Sequence, residues 1–179
     1  MKGFSKEVRK YEGIALRDLI LGGQDGVVDI IGVILGVAVA TANVKFVLIA
    51  GFSSAVAEAF SMGAVAYTSG KVLEEYLKNK RKNNSLKFTL IFDMITVFIA
   101  TLIGGVIPII PFLPILNLKL NEAIITSLIL SLVVLFSAGV LTGRLSNSKN
   151  WIRSGFRILL FGAGAALLGY IAGNLLRLV

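Results

Sequence analysis

Five long apolar runs dominate the chain, and short polar segments separate them. They lie at about 19–42, 45–70, 88–113, 121–144 and 155–178. Each has roughly 20 or more residues, enough for a helix to cross ~30 Å of hydrocarbon. None shows the short apolar–polar alternation of barrel strands. The pattern predicts an all-α integral membrane protein of five transmembrane helices, folded as one transmembrane domain over residues 1–179.

The polar segments refine this reading. Residues 3–17, GFSKEVRKYEGIALR, predict a short amphipathic helix within residues 1–18, lying on the cytoplasmic membrane face with Phe4, Val8 and Tyr11 on one side. Residues 71–87 form a basic cytoplasmic loop whose first part, KVLEEYLKNK, extends helix two. Pro108, Pro111 and Pro114 in GGVIPIIPFLP kink helix three and end it near the outer face.

Composition supports a membrane protein. Hydrophobic residues make up 56% of the chain and charged residues only 16%, with a mean hydropathy of +0.86. Fifteen of the 18 basic residues fall before helix one, between helices two and three, or between four and five. Basic loops stay cytoplasmic, so the N-terminus is expected inside and the C-terminus outside. The net charge of +8 then reads as topology signal and lipid-headgroup contact, not as a nucleic-acid surface. The first apolar run starts too late and is too long for a signal peptide. A multi-pass protein of a prokaryotic plasma membrane is the default localisation.

Cysteine and histidine are both absent. That removes disulfides, zinc–cysteine sites and the commonest general base. The kit for an intramembrane enzyme is thin, and no catalytic cofactor is expected.

Against this background the acids within the spans stand out. Asp25 and Asp29 lie one turn apart in LGGQDGVVDIIG, and Glu58 and Met62 lie one turn apart in AEAFSMG. The turn between helices one and two centres on Asn43 and Val44, so residues whose numbers sum to 87 lie level. Asp25 is then level with Met62, and Asp29 with Glu58. The arithmetic predicts an inner layer of carboxylate and thioether beneath a layer of two carboxylates. Intramembrane charges cost ~2.5–3.5 kcal/mol each on insertion scales and normally face a protein interior or a wet path. No Lys or Arg of helices one and two lies at that depth, so protons or a metal ion would supply the counter-charge. Hard oxygens with one soft sulfur suit Fe²⁺ or Mn²⁺. These ions would be transported substrate.

Gly22, Gly26, Gly32 and Gly36 form two small-xxx-small pairs on helix one. They pack either within the chain or against helix one of a second copy, which would make a homodimer with a path on its axis. A similar set on helix five, Gly162, Ala166, Gly169 and Gly173, reads as structural packing.

The stretches RDLILGGQDGVVDIIGVILGVAVA, IAGFSSAVAEAFSMGAVAYTSGK, GGVIPIIPFLP and SGFRILLFGAGAALLGYIAG resemble, in order, the first, second, third and fifth helices of the vacuolar iron transporter family. The resemblance covers almost the whole chain. It implies export of Fe²⁺, and often Mn²⁺, from the cytosol in exchange for protons. It implies a dimer with the path between the two first helices. The family's first-helix aspartate corresponds to Asp25 and its second-helix methionine to Met62. The chain departs from the family in lacking the large cytoplasmic metal-binding insert between helices two and three. Ser54 and Ala66 stand where some members carry glutamate, and Glu58 lies on the stripe from Ser54 to Met62. Asp93 is a further acid, read as a cytoplasmic gate or as a residue that snorkels to the interface. A passive divalent-cation channel or a non-transporting membrane scaffold is the alternative function.

Overall fold

A computed structural model describes residues 2–78, 86–146 and 150–177, with side chains described for residues 16, 18–76, 90–146 and 150–177. The elements are α1 (Lys2–Thr41), α2 (Val44–Lys78), α3 (Leu86–Val106), two 3-10 turns (Ile107–Phe112 and Pro114–Leu116), α4 (Leu120–Leu145) and α5 (Trp151–Leu176). Each of the five α-helices carries a stretch long and apolar enough to cross a membrane, and no strand occurs among the described residues.

The backbone of α1 is helical without a break from Lys2 to Thr41. The expected division between a separate amphipathic helix and helix one is therefore absent. No proline or cap-forming turn occurs near residue 18 to interrupt the backbone hydrogen bonds. The expected apolar side of Phe4, Val8 and Tyr11 lies outside the described side chains. The helix α2 continues to Lys78, as the KVLEEYLKNK extension predicts, and residues 79–85 of the basic loop lie outside the described residues. The helix α5 starts at Trp151, one turn before the expected boundary. Arg153 and Arg157 are not loop residues. They lie on the exposed side of α5, while Trp151 and Ser154 pack on Gly143 of α4.

Local chemistry explains the helix ends. Ala42 stops α1 in the left-handed conformation, at φ 49°. The Asn43 side chain then starts α2 by accepting a hydrogen bond from the Lys45 N–H at 2.9 Å. Near the prolines, α3 tightens into a 3-10 turn after Val106. Pro111, three residues beyond Pro108, has no N–H to donate to the Pro108 carbonyl. Ser127 of α4 donates to that carbonyl instead, at 2.6 Å, in a fully buried contact. Helix α4 opens with Glu122 accepting from the Lys119 N–H at 3.1 Å.

Helix α1 is the centre of the bundle and touches all four other helices. Val27, Ile30, Ile31, Ile34, Leu35 and Ala38 are buried around it, consistent with a run that is apolar on every side. Glycines set the close approaches. A Cβ at Gly22 would come within 3.0 Å of the Val97 carbonyl oxygen, and one at Gly26 would strike the Thr101 carbonyl and come within 2.8 Å of the Gly105 nitrogen. Further along, Gly32 and Gly36 abut Gly169 and Gly173 of α5, again backbone to backbone. Gly22, Gly26, Gly32 and Gly36 are thus used within the chain, against α3 and α5. Helical spacing shows which residues share a face, but it does not say which helix fills that face. The exterior carries large exposed apolar side chains such as Ile95, Ile99 and Ile103 on α3 and Leu160, Phe161 and Leu168 on α5. A lipid environment accommodates such a surface.

Candidate functional site

The α1–α2 hairpin brings three carboxylates together in the spans. Oxygen atoms from Asp25, Asp29 and Glu58 all lie within 4.8 Å of one another. Asp25 and Glu58 are half-buried, whereas Asp29 is exposed. Asp29 of α1 and Glu58 of α2 thus face each other across the two helices. Met62 is half-buried one turn beyond Glu58 on α2.

The level arithmetic correctly pairs Asp29 with Glu58. The two separate layers do not persist, because Asp25 joins the same group. Residues four apart on a helix have Cβ atoms only ~5–6 Å apart, so Asp25 and Asp29 both reach the Glu58 carboxyl.

This donor set consists of hard anionic oxygens from two rigid helices. It fits a divalent cation, which needs several such ligands, better than a monovalent one. One chain leaves the group open on the Asp29 side.

Other polar positions within the spans serve packing elsewhere in the bundle. Gln24, next to Asp25, donates from Nε2 to Thr142 Oγ1 of α4 at 3.3 Å. A single step along the helix turns a side chain by 100°, so Gln24 serves the packing between α1 and α4 while Asp25 faces the acids. Thr101 and Ser131 carry buried hydroxyls with no hydrogen-bond partner, and Thr101 Oγ1 faces Gly22. Asp93 is half-buried on α3, and its charged neighbour is Asp18 of α1. Sequence reasoning did not single out Asp18, Gln24 or Thr101. The polar character of Gln24 and Asp18 in or beside an apolar run was the available signal.

The family model described as the VIT family matches residues 16–94 and 93–174. The chain belongs to this family. Vacuolar iron transporter 1 of Arabidopsis thaliana is 23% identical over 221 aligned positions, covering 92% of this chain and 87% of that protein. An uncharacterised protein of Methanocaldococcus jannaschii is 28% identical over 170 positions, covering 87% of this chain and 86% of that protein. Membership of the VIT family and five apolar helices together make the chain a multi-pass membrane protein.

Proposed function

We propose that this VIT-family protein exports Fe²⁺ or Mn²⁺ from the cytosol in exchange for protons. The observation that carries the reading is the group of Asp25, Asp29 and Glu58 oxygens within 4.8 Å in the spans of α1 and α2. The resemblance of the chain to an iron transporter over most of its length supports iron as the cargo.

Metal binding needs these carboxylates deprotonated, so the cation and the protons compete for the same oxygens. A divalent ion held by Asp25, Asp29 and Glu58 displaces the protons these oxygens carry when empty. When the ion leaves, the carboxylates take up protons again and carry them back. Met62, one turn nearer the cytoplasmic end on the expected topology, contributes a polarisable sulfur that favours Fe²⁺ and Mn²⁺ over Mg²⁺ and Ca²⁺. The N-terminus is cytoplasmic in this reading, and the host is a prokaryotic plasma membrane.

The working unit is a homodimer. The argument rests on Asp29 and not on the α1 glycines, which already pack within the chain. An exposed carboxylate in a span faces lipid in a lone subunit, at a cost of ~2.5–3.5 kcal/mol. A second copy related by a two-fold axis covers it and doubles the carboxylates available to one ion.

Proton release tests the exchange chemistry. Mn²⁺ added to weakly buffered protein should acidify the solution. The release should be reduced in Glu58→Gln, which removes one of the three carboxyl groups that hold protons or metal. Binding with no proton release in the wild type would contradict the coupling and favour a passive cation channel.

A further inference from the structure

At the end of the bundle that holds the α1–α2 turn, α1, α4 and α5 enclose a cleft of about 460 Å³. Its polar lining comes from two helices. Tyr170, Asn174 and Arg177 stand on α5 and at its C-cap, four and three residues apart, so they form one stripe. Asn121 faces them from the first turn of α4. Val39 of α1 and Ile124 of α4 supply apolar wall. Arg177 and Asn121 sit at helix ends, whereas Tyr170 lies ~10 Å deeper by helical rise. The cleft therefore has a cationic, amide-rich mouth at the membrane boundary and an apolar wall running into the bilayer.

We propose that this cleft binds an anionic phospholipid from the leaflet on that side. The Arg177 guanidinium would take the phosphate, with the Asn121 and Asn174 amides donating to phosphate and glycerol oxygens. One acyl chain would lie along Ile124 and Ile125. Two features support this occupant. Charge complementarity is direct, because Arg177 is the charged residue of the described lining. The polar groups of Arg177, Asn174 and Asn121 gather toward the mouth, and Ile124 and Ile125 continue the α4 wall, the order of headgroup and acyl chain along a lipid molecule. The same cation argues against a route for metal ions through this cleft, since it repels them. The cleft is separate from the carboxylate group of α1 and α2 and shares no residue with it.

The full-length protein in detergent would be titrated with phosphatidylglycerol and, separately, with phosphatidylcholine, and retained lipid counted by native mass spectrometry. The wild type should retain phosphatidylglycerol preferentially. Arg177→Ala should weaken retention about tenfold or more, the loss expected for a hydrogen bond to a charged group. Arg177→Lys should restore part of it by keeping the charge. Asn174→Leu should weaken it less. Gly164→Ala, on α5 but outside the cleft lining, should behave as wild type. Circular dichroism would confirm that each variant keeps its helix content. Equal retention of both lipids by the wild type, or undiminished phosphatidylglycerol retention in folded Arg177→Ala, would overturn the proposal.

Discussion

Carboxyl oxygens of Asp29 on α1 and Glu58 on α2 lie within 4.8 Å of each other, and Asp25 completes the group one turn away. Protons and a divalent cation compete for the same carboxyl oxygens. Mn²⁺ affinity should therefore rise with pH and fall as protons occupy the oxygens. Asp29→Asn and Glu58→Gln should each weaken Mn²⁺ binding by at least about tenfold, since even outer-shell partners of a metal are worth that much. Isothermal titration at several pH values checks both. Affinity independent of pH and of these residues would place the metal elsewhere.

The contacts between α1 and α5 leave no room for side chains. A Cβ at Gly169 or Gly173 meets the carbonyl of Gly32 or Gly36, and backbone does not yield as a flexible side chain would. Gly173→Ala should destabilise the protein by about 1–3 kcal/mol, the usual cost of overpacking. Gly164, on the same helix, has nothing within 4 Å of the corresponding position. Gly164→Ala should be neutral or raise stability by up to about 1 kcal/mol through helix propensity. Thermal unfolding of the two variants in one detergent makes the comparison.

Ser127 carries the junction between the proline segment and α4. Ser127→Ala leaves the Pro108 carbonyl without its buried donor, which should cost about 1–3 kcal/mol. Threonine at 127 keeps a hydroxyl but adds a methyl group to a fully buried site, so Ser127→Thr should recover only part of the loss. The same unfolding assay separates lost hydrogen bonding from overpacking.

The turn after α1 offers a stabilising change. Ala42 holds a positive φ of 49°, which costs a residue with a Cβ roughly 1–2 kcal/mol. Glycine adopts it freely but loses more entropy on folding. Ala42→Gly should therefore gain about 0.5–1 kcal/mol, read as a higher unfolding temperature.

Sequence patterning foretold the parts governed by local rules. Runs of ~20 apolar residues located the spans, and the short turn at Asn43 made the index arithmetic possible, which pairs Asp29 with Glu58. Three features depended on packing between distant segments. The glycine stripe of α1 was legible as a close-contact face, but the same pattern serves α3, α5 or a second copy equally well. The merging of Asp25 with the other acids follows from the ~5–6 Å Cβ separation of residues four apart, which a diagram of separate layers omits. Arg153 falls before the fifth apolar run, yet a helix end carries such a residue on its exposed side without breaking. The long α1 shows the converse, since residues 3–17 lacked any stop signal and simply continue the helix.

The account centres on Asp25, Asp29 and Glu58 as the proton-coupled path of a divalent metal. Its most direct test is Fe²⁺ and Mn²⁺ uptake into proteoliposomes, with and without an imposed pH gradient, for wild type and Asp25→Asn. The account predicts uptake that depends on the gradient in the wild type and is lost in a folded Asp25→Asn protein. Uptake that ignores the gradient, or that survives the substitution unchanged, would contradict it.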